Sequence, residues 1–445
     1  MHKYDLIIVG AGPAGIFTAL EIVKMQIPIR ILLLEKGMEL DQRKSLICGW
    51  GGSGAYSDGK LTLTPEIGGY LKDLLGYEEA AKLIAYVDQI YLDYGAPKEV
   101  FGEDEDSTGE LAHKAALANL RYIPARIRHL GTDNCTEILR KFRTTLNPHV
   151  DIFTDRPVAR ILTENGKVLG VETVNGESFT CDYLVVAPGR EGASWLVEEW
   201  KRLDLTMSRN PVDIGVRVEV PAAVLEPLTN VSFEAKLEYF SKSFDDRVRT
   251  FCMCPYGVVA MEGSDGVTTV NGHSYAKRKT ENSNFAILVS TRFTDPFREP
   301  ITYGRYIARL ANLLSGGVII QRLGDLEAGR RSTDDRIAHS IVRPTLKEAT
   351  PGDLSFVLPY RYLTDILEML KALDQLAPGV ASRHTLLYGL EVKFYSSRPK
   401  LSAQLETEIT NLFAIGDGAG ITRGLMQASA CGVAVAREIS RRISG

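Results

Sequence analysis

The chain has 445 residues, 44% hydrophobic and 24% charged, the composition of an ordinary folded protein with room for two or three domains of about 150 residues each. Against 56 acidic residues stand 52 lysines and arginines, a formal charge of −4, so there is no basic surplus for nucleic acid, and no apolar run approaches the ~18 residues of a membrane span. The six cysteines, with no Cys-x-x-Cys pair among them, exclude a disulfide scaffold and fit free thiols in a reducing cytosol.

Residues 4–9 (YDLIIV) read as a short buried parallel strand. Lys3 ahead of Leu6–Val9 superficially resembles an export signal, but glycine and proline break the patch at once, and a cytoplasmic protein is expected. Gly10-Ala11-Gly12-Pro13-Ala14-Gly15 follows, then Ile16, Ala19, Leu20 and Val23 at helical spacing to about residue 26. A second strand, Ile29–Leu34, ends in Glu35 and Lys36. This is a dinucleotide-binding pattern with a task for each part. Gly10 allows the tight turn, Gly12 lets a pyrophosphate approach, and Gly15 lets helix and strand pack closely. The helix N-terminus offers N–H groups to phosphate, and Glu35 can accept from ribose hydroxyls.

Residues 48–64 (CGWGGSGAYSDGKLTLT) carry glycines at 49, 51, 52, 54 and 59. Such a stretch suggests backbone laid against a ligand, with Gly51, Gly52, Ser53, Gly54, Ser57, Asp58, Gly59 and Lys60 as candidate contacts. Residues 75–145 look largely helical, and Glu103–Asp106 reads as a solvated acidic loop. Val158–Glu164, Lys167–Val174 and Glu177–Thr180 are strand-like runs joined by Asn165-Gly166 and Asn175-Gly176, a β-meander. Tyr183–Ala187, another buried strand, runs into Pro188-Gly189-Arg190.

From 205 to 385 strands are expected at Val212–Val220, Arg249–Met253, Val267–Asn271 and Phe285–Thr291, with helices at about 303–314 and 361–376. No second Gly-x-Gly-x-x-Gly occurs there. Cys252 and Cys254, two apart on a strand, share a face; they are either a redox pair or two small core residues, and the strain of so short a disulfide favours the second. His273 and Tyr275 are acid–base candidates. Arg330 and Arg331, with Arg322 and Arg336, either clamp an anion or form a solvated face. Lys393 and Tyr395, with Arg398, could polarise a carbonyl or activate a water. The final strand, Asn411–Ile415, leads into Gly416-Asp417-Gly418-Ala419-Gly420 and a helix from about Arg423, with Leu425, Ala428, Gly432, Val435 and Ile439 at helical spacing.

These three signatures, at both ends and in the middle, resemble flavoproteins with the glutathione-reductase type of FAD domain. In that family the late Gly-Asp motif places an aspartate on the ribityl chain and a helix N-terminus at the flavin pyrimidine. The resemblance implies FAD as cofactor, with Asp417, Gly416, Arg423, Gly424, Leu425 and Met426 contributing at the C-terminal half-site. In the middle it implies Val158, Ala187, Pro188 and Gly189, with Pro188 standing where threonine is usual. With T-F-C-M-C-P at 250–255, V-N-G-H-S at 270–274, G-R-R-S-T at 329–333 and S-I-V-R-P-T at 340–345, the whole chain is similar to the uncharacterised FAD-dependent dehydrogenases. Those are broadly similar in FAD-domain architecture to geranylgeranyl reductases and para-hydroxybenzoate hydroxylase.

The expected fold is therefore α/β. A Rossmann-like FAD domain (1–200 and 386–445, parallel sheet plus three-stranded meander, with 75–145 as a helical insertion) carries an inserted mixed α+β substrate domain (201–385). The expected activity is hydride transfer between flavin N5 and a small-molecule substrate, with Lys393, Tyr395, His273 and Cys252 as catalytic candidates. NAD(P)H as a transient donor, or a protein electron carrier, would supply electrons. A flavin monooxygenase and a non-redox flavin-binding protein stay open as alternatives, and neither a nucleic acid nor a metal is expected.

Overall fold

An apolar run as short as residues 4–9, stopped by glycine, is too short for a stable helix and satisfies its backbone through neighbouring strands. His2–Val9 lies parallel to Ile31–Leu34 on one side and to Ser178–Val186 on the other. Leu6, Ile7, Ile8, Leu32 and Leu33 are wholly buried, as in a parallel sheet covered on both faces. The structure is a computed structural model; it describes all residues except 1, 46, 58, 209–210, 265, 276–278, 292, 294–298 and 394–397. The sheet runs Val150–Phe153, Ile31–Leu34, His2–Val9, Ser178–Val186, Lys167–Thr173, Val158–Glu164, with Leu412–Ala414 also parallel to Ser178–Val186.

The two runs Glu177–Thr180 and Tyr183–Ala187, expected as separate strands, are one strand, Ser178–Val186. Its first residues close the meander against Lys167–Thr173, while Lys3↔Thr180 through Val9↔Val186 pair it with the N-terminal strand. The polar Asp182 masks this continuity in the sequence; its carboxylate pairs with Lys3 at 3.8 Å near the surface.

The chain divides into two units, 1–99 with 128–210 and 396–445, and 100–127 with 211–395. The joints fall at 210/211 and 395/396, where the sequence suggests 200/201 and 385/386. The expected helical insertion is split: Leu71–Leu75, Tyr77–Asp93 and Thr132–Leu146 stay with the first unit, and Glu105–Leu117 goes with the second. The acidic run before it is no plain loop. Asp104 caps that helix, accepting from Asp106 N, and Glu105 and Asp106 fill its first turn, where negative charge complements the helix dipole.

The second unit is built on an eight-stranded sheet: Thr350–Pro351, Ile319–Arg322, Leu386–Lys393, Val212–Pro221, Asn282–Thr291, Arg247–Cys254, Lys236–Phe240 and Arg121–Ile123. Val212–Val220 is buried residue by residue. A hairpin, Val258–Ser264 with Val267–His273, stands beside it, and helices Pro300–Ser315 and Tyr360–Leu376 match the expected helical stretches. Among the described residues no helix is long and apolar enough to cross a membrane.

Asp365, on the helix Tyr360–Leu376, has no exposed surface. Burial first, and then the neighbouring Asp246 carboxylate, push its acid up to about 6. A carboxyl raised above its unfolded value of about 3.9 stabilises the fold at low pH and loses that contribution as pH rises through about 6. Asp365→Asn is therefore expected to raise stability near neutral pH by about 1–2 kcal/mol, after allowance for screening by solvent. Urea titrations at several pH values check this: an unchanged slope of stability against pH in the variant contradicts the assignment.

Candidate functional site

In the first unit the glycine turns interlock. A Cβ at Gly15 would stand 2.0 Å from Gly10 O, and one at Gly10, whose φ is +105°, would stand 2.2 Å from Ala187 O. A Cβ at Gly418 would stand 2.3 Å from Gly189 O, joining the late turn to the end of the Ser178–Val186 strand. These are backbone-on-backbone contacts that only glycine permits. At Gly12, Gly189 and Gly424, by contrast, a Cβ would meet nothing within 4 Å. The glycines thus separate into those that lock the turns and those with open space beside them.

Two helices start at these turns. Pro13–Lys24 begins after Gly12 and Leu425–Ser444 after Gly424, and neither N-terminus has a side-chain cap. They pack closely: a Cβ at Gly432 would be 2.3 Å from Ala14 O. The loop at 49–54 bridges their first residues, since a Cβ at Gly54 would stand 2.7 Å from Leu425 Cδ2 and 3.5 Å from Pro13 Cγ. Met426 is buried. Uncapped N-termini leave N–H groups and a partial positive charge, a standing preference for an anion.

Glu35 is nearly fully buried and organises the other end. Its Oε2 accepts from Ala11 N at 2.8 Å, and its Oε1 from Gly37 N at 2.8 Å and Gly49 N at 3.0 Å. The carboxylate therefore ties the first glycine turn to the 48–54 loop, a role that spacing alone did not suggest; Oε1 has both lone pairs engaged and Oε2 keeps one for a hydroxyl. Lys36 pairs with Glu191 at 3.2 Å. Ser57 Oγ donates to Gly54 O, Ser53 lies in the short helical turn Gly52–Gly54, and Lys60 opens the strand Lys60–Thr62. A Cβ at Gly59 would collide with Cys135 Sγ at 2.5 Å. Asp58 lies outside the described residues. Val158 starts the first meander strand, and Pro188 lies 2.5 Å (Cβ) from where a side chain on Gly192 would begin.

Asp417 accepts from Thr422 Oγ1 at 2.6 Å. Several partners here carry no sequence motif. Arg43 tethers the loop by donating to Trp50 O and Gly52 O, both at 2.8 Å. Gln427 donates to Pro65 O and Ile67 O and accepts from Leu71 N. Arg423 donates to the Tyr70 hydroxyl at 3.0 Å, and Arg398 stacks on the same ring at 4.4 Å. Long-range ties between single side chains and loop carbonyls have no periodicity to announce them.

In the second unit, Lys393 is a member of a buried charge cluster. Its Nζ lies 3.0 Å from Glu391 and 3.9 Å from Glu262. Arg217, with no exposed surface, meets Glu391 through Nε at 2.7 Å and Nη2 at 3.1 Å. Its remaining N–H groups donate to Cys252 O, Asn284 Oδ1 and Asn271 Oδ1. Burial opposes the Glu391 charge, but Arg217 and then Lys393 outweigh it and hold the carboxyl below its ordinary range. His273 ends the hairpin strand opposite Val258. Tyr395 lies outside the described residues. The arginines near 330 do clamp a carboxylate, and it is the chain's own: Asp325 takes Arg322 at 2.8 and 3.0 Å, Arg330 at 3.0 Å and Ser332 Oγ at 2.8 Å.

Residues 211–394 match the family described as FAD-dependent protein, C-terminal domain-like. The chain is 27% identical over 474 aligned residues to an uncharacterized protein of Clostridium beijerinckii, covering 97% of this chain and 80% of that one. A shorter similarity, 24% over 189 residues, reaches the tRNA uridine 5-carboxymethylaminomethyl modification enzyme of Malacoplasma penetrans, over 42% of this chain and 25% of that one. Among solved structures, L-proline dehydrogenase from P. horikoshii is 12% identical with a TM-score of 0.45, over 99% of this chain and 94% of that one. The interlocked glycine turns of the first unit thus stand in a chain whose residues 211–394 match the C-terminal domain of FAD-dependent proteins.

Proposed function

We propose that the first unit holds FAD along the line from Glu35 through Gly12 to Gly424, and that the enzyme dehydrogenates or reduces a small-molecule substrate. One observation carries this reading: Gly54 stands between Pro13 and Leu425, so two uncapped helix starts meet at one glycine loop, suited to a ligand with an anionic middle and an electron-accepting end. When bound, FAD supplies two-electron, hydride-level redox chemistry.

The chain's own residues do the rest. Glu35 accepts from an adenosine ribose hydroxyl through its remaining Oε2 lone pair. The N–H groups of Ala14 and Gly15 receive the pyrophosphate, where Gly12 gives room. Asp417, oriented by Thr422, accepts from the ribityl hydroxyls, and the start of the helix Leu425–Ser444 stabilises negative charge. NAD(P)H acts as a transient donor, or a protein carrier takes its place.

Glu35→Gln is expected to lower FAD affinity by on the order of 10–100-fold, the worth of about 1.5–3 kcal/mol for hydrogen bonds to a charged acceptor. Fluorescence titration of the apoprotein with FAD measures it, and an unchanged affinity removes Glu35 from the site. The redox reading is tested by anaerobic titration of the yellow protein with NADPH and NADH. Saturable bleaching supports a nicotinamide donor. A flavin that dithionite reduces and nicotinamides do not argues for another donor, and one that no metabolite or carrier turns over contradicts an oxidoreductase acting on small molecules.

A further inference from the structure

On a regular strand, side chains two residues apart stand on one face some 6–7 Å from each other. The strand Arg247–Cys254 departs from this at its end. Phe251 pairs with Ala286 and Cys254 with Asn284, so three steps on one strand face two on the other. This is a β-bulge, and within it Cys252 has a φ of +45°, in the left-handed region. A non-glycine residue there costs on the order of 1–2 kcal/mol, a conformation that persists only when its surroundings impose it.

The surroundings do so here. Arg217 Nη1 donates to the Cys252 carbonyl at 2.9 Å, and the Cys254 thiol reaches the same oxygen at 3.4 Å. The result is that Cys252 Sγ and Cys254 Sγ stand 3.9 Å apart. Cys254 is wholly buried while Cys252 is partly exposed, the asymmetry of an attacking and a resolving sulfur. Charge supports the pairing. Burial opposes the Arg217 charge, yet Glu391 and then both cysteines raise its pKa, so a fixed positive charge stands next to the pair. Elsewhere burial pushes the Cys181 and Cys431 thiols up to about 12 and raises Cys48 as well.

We propose that Cys252 and Cys254 form a redox-active dithiol that exchanges with small-molecule disulfides and dithiols. The Cys252 thiolate attacks one sulfur of R–S–S–R; that S–S bond breaks, a mixed disulfide forms on Cys252, and the departing R–S⁻ takes up the proton that Cys252 released. Cys254, losing its proton, then attacks the Cys252 sulfur and expels the second R–SH. The dithiol is oxidised by two electrons and one disulfide is reduced to two thiols. A dithiol runs the sequence backwards.

The test treats the full chain, flavin included, with oxidised glutathione under nitrogen, followed by denaturation, alkylation and peptide mapping. Titratable thiols are expected to fall from six to four (6 − 2 = 4), with the missing pair mapped to 252 and 254 and restored by dithiothreitol. Cys254→Ser is expected to stop at a glutathione adduct on Cys252, and Cys252→Ser to take up no glutathione. Six thiols surviving in the wild type overturn the proposal, as does an adduct confined to Cys48 or one unaffected by Cys252→Ser. Mapping of the wild type alone decides the matter if a serine variant does not fold.

Discussion

Glu391→Gln is expected to destabilise the protein by about 3–5 kcal/mol, the usual effect of removing one partner from a buried ion pair. The variant leaves the fully buried Arg217 and the largely buried Lys393 facing a neutral amide. The loss should be nearly the same at every pH above the ordinary carboxylate range. In the wild type a carboxyl held below its usual pKa contributes stability that is present above the unfolded value and is lost as pH falls through the folded one. Wild type and variant should therefore converge in acid. Lys393→Met should cost far less, because Arg217 still neutralises Glu391. Urea unfolding of both variants at neutral and acid pH checks the assignment. A Glu391→Gln protein within about 1 kcal/mol of wild type would mean that the cluster is more hydrated than its geometry implies. That comparison also weighs Lys393 as a catalytic candidate, since a lysine engaged at 3.0 Å by a carboxylate has its charge already committed.

The glycine turns should separate folding from cofactor binding. Gly15→Ala puts a Cβ 2.0 Å from Gly10 O, a backbone atom that cannot step aside, and a loss of at least about 3 kcal/mol is expected, with colourless protein recovered, if any. Gly12→Ala adds its methyl where nothing lies within 4 Å. Its stability without cofactor should stay within about 0.5 kcal/mol of wild type, while FAD affinity falls by on the order of 100-fold or more because the methyl fills the approach to the phosphates. Thermal unfolding of the apoproteins and flavin titration give the two readouts separately. A Gly12→Ala protein that retains flavin normally would move the pyrophosphate away from the first turn.

The parts that repeat or punctuate were legible before any coordinates. The Gly-x-Gly-x-x-Gly turn, the two Asn-Gly hairpins and the late Gly-Asp turn each have a local cause, and the strands and helices around them stand where the apolar spacing put them. Misreadings came where the local signal was interrupted or non-local. Asp182 broke one strand into two, and acidic residues at 103–106 read as loop although Asp104 caps a helix and Glu105 and Asp106 form its first turn. The contribution of residues 121–123 to a sheet made mostly by residues beyond 211 is invisible to any window of sequence. The same holds for Arg217 and Glu391, which lie in different strands; only their register brings them together. Cys252 and Cys254 were legible as a pair, but a regular strand would have kept their sulfurs apart, and the bulge is what changes that.

The chain passes between its two units after residues 99, 127, 210 and 395, which sets an order of events on the ribosome. The strand Leu412–Ala414 and the helix Leu425–Ser444, which complete the first unit, are made only after residues 211–395. At translation speeds of ~5–20 residues per second that segment takes roughly 10–40 s to synthesise. Through that interval the N-terminal turns exist without their C-terminal counterpart. On the proposed reading, lasting flavin capture waits until the helix Leu425–Ser444 has been made, and the second unit has time to fold first.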